Sequence, residues 1–135
     1  MPAGCHRVFD SWPLLALLEG EPASDQVRRL ILAAQAASAS MWITVVNAGE
    51  IWYNTARRRS AAVADETVRY ILELGFELVA VDWILSLRAA RWKARYPVSY
   101  ADCLAAALAK ERNAELVTGD PDFRLLEKEI RVYWL

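Results

Sequence analysis

Short apolar runs of strand length alternate with longer runs whose apolar positions recur every three or four residues. This alternation predicts an α/β domain, residues 1–135, built round a mostly parallel five-stranded sheet flanked by helices. Residues 6–10 (HRVFD) read as the first strand. Ser11, Trp12 and Pro13 turn the chain into a helix over 14–18, and Gly20-Glu21-Pro22 breaks it. A second helix follows over 24–37. Residues 41–46 (MWITVV) form a continuous apolar run of the kind expected in a central buried strand. Asn47 opens a helix reaching Arg58, and 60–74 forms another, closed by Gly75. Residues 76–81 (FELVAV) read as the third strand. Asp82 caps a helix that Pro97 stops, and Ser99 opens a helix over 100–110 that is apolar on nearly every side. Asn113 is a left-handed terminator, 116–118 the fourth strand, 119–122 a turn, and 130–134 an edge strand.

Composition narrows the function. Of 135 residues, 56% are hydrophobic and 24% charged, which excludes intrinsic disorder. No apolar run approaches a membrane span, and the N-terminus lacks the apolar core of a signal peptide, so a cytoplasmic protein with no membrane partner is expected. The net charge of −1 gives no global field for a polyanion. Two cysteines and one histidine exclude a disulfide framework and a zinc site of the Cys or His type. Thirteen of the 16 basic residues are Arg, a choice that suits phosphate or carboxylate contacts but also follows from genome composition.

The acids carry more information. Sites in open parallel sheets lie beyond the carboxyl ends of the strands. Asp10, Glu50, Asp82, Asp120 and Asp122 fall just after predicted strands, and Asp102 falls in the first turn of the apolar helix. Asn47–Glu50 and Ser99–Asp102 repeat one spacing, a cap-type residue three positions before an acid, which puts each acid near the positive end of a helix dipole. Each pair also reads as an ordinary cap. A carboxylate at the mouth of a buried helix needs a partner, and no Lys or Arg lies within a turn of Asp102. Carboxylates converging without His or Cys form a hard-metal site for Mg²⁺ or Mn²⁺, suited to phosphodiester hydrolysis.

The segments VFDSWPLLALLEGEP, ITVVNAGEIWY, VSYADCLAAALA and LVTGDPDFRLL, in this order and spacing, resemble those of the PIN-domain nucleases, and most closely the VapC-type toxins of toxin–antitoxin pairs. The resemblance implies catalytic and metal-binding roles for Asp10, Glu50, Asp102 and Asp120, with Asp122 a further metal ligand. It gives Asn47, Ser99 and Thr118 as supporting residues. It implies a Mg²⁺- or Mn²⁺-dependent endoribonuclease acting on RNA, usually a homodimer, blocked by a cognate antitoxin whose cation enters the acidic cleft. Trp12 stands where many relatives carry Ser or Thr, which questions how Asp10 is supported. Arg57, Arg58 and Arg59 read either as a solvated helix end or as RNA contacts. A catalytically inactive PIN-fold module binding RNA or protein is the alternative function. A phospho-acceptor receiver domain lacks the early acidic pair and the late Lys it needs.

Overall fold

A computed structural model describes residues 5–135; positions 1–4, part of the expected domain and of the N-terminus read for a signal peptide, lie outside the described residues. Five strands form one sheet: β1 (Arg7–Phe9), β2 (Met41–Thr44), β3 (Phe76–Val79), β4 (Glu115–Thr118) and β5 (Val132–Trp134). Their spatial order is β3-β2-β1-β4-β5, and every pairing is parallel. The chain builds outward from β1 on one side, then returns to build on the other. The strand order therefore reverses at β1–β4, and a crevice opens beyond their carboxyl ends.

Six helices cover the two faces: α1 (Ser11–Leu18), α2 (Ser24–Ala37), α3 (Val45–Arg58), α4 (Ala61–Glu73), α5 (Trp83–Arg95) and α6 (Tyr100–Glu111). Successive strand residues point to opposite faces, so the sheet divides the core. Val8, Trp42 and Leu116 pack with α5 and α6. Phe9, Ile43 and Val117 pack with α1, α2 and the inner faces of α3 and α4. Seven consecutive residues of α6, Cys103–Ala109, are buried. This is the all-round burial its composition predicts. Their small side chains let the helix lie directly on the sheet. Both cysteines, Cys5 and Cys103, are free. No described helix is long and apolar enough to cross a membrane.

Strands β1, β3 and β5 are shorter at their ends than the sequence reading, and two further boundaries differ where they bear on the site. The apolar run MWITVV is strand only as far as Thr44; Val45 and Val46 are already helical. Thr44 has extended backbone and its Oγ1 accepts the Asn47 N–H at 3.0 Å, so Thr44, not Asn47, caps α3. A local cap overrides the β preference of two valines. Similarly α1 starts at Ser11 rather than 14, with Pro13 inside its first turn, where a missing N–H leaves no bond unmade. The edge positions of β3 and β5 leave Leu78 exposed and β5 half-buried. Pro121–Leu126 forms a 3₁₀ helix after the expected turn.

Candidate active site

The five candidate acids come from four different elements. Asp10 ends β1, Glu50 lies in α3, Asp102 opens α6, and Asp120 and Asp122 follow β4. Asp10 occupies the N-cap position of α1 but makes no capping bond. It is buried, only 2% exposed. Its Oδ2 accepts the Thr118 hydroxyl at 3.1 Å, while Oδ1 is buried with no partner. The same Thr118 oxygen accepts the Asp120 N–H at 3.0 Å, so one hydroxyl ties the ends of β1 and β4 together. Asp120 Oδ1 then accepts the Asp122 N–H at 2.9 Å and starts the 3₁₀ helix.

Asp102 sits where the sequence pattern puts it. Ser99 caps α6 and its Oγ accepts the Asp102 N–H at 3.1 Å. One carboxylate oxygen each from Asp102, Asp120 and Asp122 lies within 4.8 Å of the others. Among the described residues, none of the five acids forms an ion pair with Lys or Arg.

Glu50 is held differently from the sequence expectation. With α3 starting at Val45, Glu50 lies in the second turn, and the first turn holds no acid. The helix N-terminus is therefore not what stabilises it. Instead Asn47 Nδ2 donates to Glu50 Oε1 at 2.7 Å, and the Ser11 hydroxyl donates to the same oxygen at 3.2 Å. Asn47 is thus a partner of Glu50 rather than a cap. Its buried Oδ1 has no partner. Ser11 was missed as a site residue. The only local signal was a hydroxyl beside Asp10, and its partner is 39 positions away. The Thr118 hydroxyl donates to Asp10, so Trp12 does not deprive that acid of a donor. Asp82 is no part of the cluster: its Oδ1 accepts the Leu85 N–H at 2.8 Å as the cap of α5.

The electrostatics follow from this crowding. Burial raises the Asp10 carboxyl well above the usual carboxylate range; the nearby charges of Asp102, Asp120 and Glu50 add to it, and the Thr118 bond only partly offsets them. Burial, then the Asp120 charge, lifts Asp102 to about 6 despite the Ser99 bond, with smaller contributions from Glu50 and Asp122. Two acceptors, Asp10 Oδ1 and Asn47 Oδ1, are buried without donors. An all-oxygen set with surplus negative charge and orphaned acceptors fits a hard divalent cation.

Two of the three arginines in the run make contacts within the chain. Arg57 lies over the Tyr53 ring at 4.9 Å, and Arg58 pairs with Glu19 of the loop after α1. Trp92 and Trp134 pack against the core, whereas Trp52 is partly exposed and its indole N–H donates to Asp65 at 2.9 Å.

Comparison with known proteins gives a family and a fold. The family model described as PIN domain matches residues 7–129. No curated protein matches the sequence. Among solved structures, the chain is similar to one in VapBC2 from Rickettsia felis bound to a promoter DNA fragment. That match has a TM-score of 0.72 and 14% identity, and covers 94% of this chain and 96% of that one. A toxin–antitoxin complex from Klebsiella pneumoniae matches with a TM-score of 0.69 and 19% identity, over 96% and 99% of the two chains. VapC20 of Mycobacterium tuberculosis, described as a Sarcin-Ricin loop cleaving toxin, matches with a TM-score of 0.70 and 19% identity, over 88% and 93%. At these identities the likeness is one of fold.

Proposed function

The chain belongs to the PIN domain family, and from that premise we propose that it is a metal-dependent endoribonuclease, the toxin of a toxin–antitoxin pair. The observation that carries the reading is the acceptor-only crevice: three carboxylate oxygens within 4.8 Å, a buried unpartnered Asp10 oxygen, and no described cation bridging them. Asp10, Glu50, Asp102, Asp120 and Asp122 are the residues that would hold Mg²⁺ or Mn²⁺. A bound divalent ion supplies an ionised water at neutral pH and neutralises charge on a phosphate.

The remaining parts belong to the chain. Thr118 holds Asp10 and the Asp120 backbone in one bond network, so the two strand ends keep a fixed separation. Ser11 and Asn47 aim Glu50 from two elements. Ser99 caps the first turn of α6 at the Asp102 N–H and so fixes where that acid starts the helix. Asp102, raised by burial and by the Asp120 charge, is an acid whose crowding a bound cation would relieve.

A protein antitoxin as partner is supported by the likeness to a toxin–antitoxin complex. A homodimer is supported by the exposure of Trp83 and Ile84, adjacent at the start of α5. The cytoplasm is the compartment in which such a nuclease meets RNA. The test is incubation of purified protein with a panel of structured RNAs in Mg²⁺, Mn²⁺ or EDTA, beside Asp120→Asn. Cleavage by wild type with metal, absent in EDTA and in the variant, is expected. Cleavage that persists in EDTA, or equally in Asp120→Asn, overturns the reading.

A further inference from the structure

We propose that the cavity beside Trp12, between α1 and α3, takes one unpaired nucleobase of the RNA strand next to the bond that is cut, with the indole as its stacking platform. This rests on the ribonuclease reading and adds to it a base-recognition pocket.

Trp12 lies two residues past Asp10, in the first turn of α1. Its six-membered ring abuts Gly119, the residue between Thr118 and Asp120. A Cβ on Gly119 would overlap three of its ring atoms, so glycine is required there by close approach. The indole is therefore wedged against the loop that carries two site residues. It also lines a cavity of ≈ 200 Å³. That is below the roughly 300–1,000 Å³ of sites for drug-sized ligands and suits a single flat ring system.

The cavity has two chemically different walls. Trp12, Leu15 and Ala16 of α1 supply an aromatic and apolar wall, and Asn54 and Arg58 of α3 supply a polar one, with the carboxylates of Glu19 and Glu21, from the turn after α1, completing the lining as acceptors. Glu50, Asn54 and Arg58 are spaced i, i+4 and i+8, so the polar wall continues the face of α3 that carries Glu50. Asn54 lies about 6 Å along the helix axis from Glu50. One Asn54 N–H donates to the Glu50 carbonyl at 2.8 Å, leaving the side-chain oxygen and a second N–H for a ligand. Glu19 and Arg58 pair with each other and offer an acceptor and donors side by side. An aromatic face with a mixed donor and acceptor edge is how unpaired bases are read. Guanine matches this edge best, with two donors beside an acceptor. An apolar side chain from a protein partner would strand Asn54 and the ion pair without partners.

The test uses a single-stranded RNA cut at a mapped bond, with one abasic nucleotide moved through the flanking positions. At one position the abasic change is expected to raise KM about tenfold in wild type, within the range of base–aromatic stacking. In Trp12→Leu the same change costs nothing further, because both remove one contact; Trp12→Phe restores most of the effect. Replacing guanine by adenine there raises KM in wild type. A second arm places 2-aminopurine at that position in EDTA, where wild type quenches its fluorescence and Trp12→Leu does not. If Trp12→Leu slows all substrates equally, abasic ones included, the indole only supports the Gly119 loop and the proposal is overturned. Cleavage without abasic coupling or quenching overturns it too. So does a Trp12 dependence confined to binding of a protein partner. Quenching without cleavage in any metal overturns the nuclease reading and leaves the pocket standing.

Discussion

Replacing Asp102 by Asn is expected to make the metal-free protein more stable at neutral pH. The carboxyl of Asp102 is lifted from 3.8 to about 6 by burial and by the charges of Asp120, Glu50 and Asp122. At 1.36 kcal/mol per pH unit this sets a ceiling of about 3 kcal/mol. Asp102 is partly exposed, and solvent screening lowers the figure to about 1–2 kcal/mol. The sign follows from which state binds the proton. A raised folded pKa means the native state holds the proton more tightly, so the favourable contribution is present below the unfolded pKa and is lost as pH rises through about 6. Asparagine keeps the size and the Ser99-bound N–H but never ionises. It also removes the largest neighbouring charge acting on Asp10. The gain should be small near pH 4 and full by about pH 7. For a chain of this length it amounts to roughly 3–8 °C in Tm. The assay is a set of melting curves of wild type and Asp102→Asn in EDTA at pH 4.5 and 7.5. A variant that melts below wild type at pH 7.5, by as much as at pH 4.5, would refute the argument that crowded acids strain this crevice.

Three further outcomes are expected. Mn²⁺ or Mg²⁺ at 100 times its dissociation constant should stabilise wild type by about 2.7 kcal/mol, and Asp120→Asn should lose most of that shift; calorimetry with stepped metal measures it. Thr118→Val removes both the donor to buried Asp10 and the acceptor for the Asp120 N–H, so urea unfolding should show a loss of about 1–3 kcal/mol at neutral pH. Gly119→Ala forces a methyl group into the Trp12 ring. It should cost about 1–3 kcal/mol by thermal unfolding and lower RNA cleavage through the displaced Asp120.

The sequence alone carried the order of elements, the burial of α6 and the placement of its acids, because these depend on interactions within a few residues. An apolar run from Cys103 to Ala109 can only be a buried helix, and Ser99 and Asp82 cap helices through bonds three residues long. The same short range misled the reading of α3. MWITVV carries strand propensity, yet the bond from the Asn47 N–H to Thr44 starts the helix two residues sooner and turns Asn47 into a partner of Glu50. What joins the acids was decided by the tertiary structure. The bond from Ser11 to Glu50 spans 39 residues, and that from Thr118 to Asp10 spans 108. Neither exists until the sheet sets β1 beside β4. The contact of Trp12 with Gly119 likewise has no local signal. The raised carboxyls of Asp10 and Asp102 come first from burial and then from neighbouring charges, Asp102 and Asp120 on Asp10, and Asp120 on Asp102. Those are properties of where chain segments meet, since a carboxylate far from its neighbours in an extended chain is fully hydrated and feels none of them.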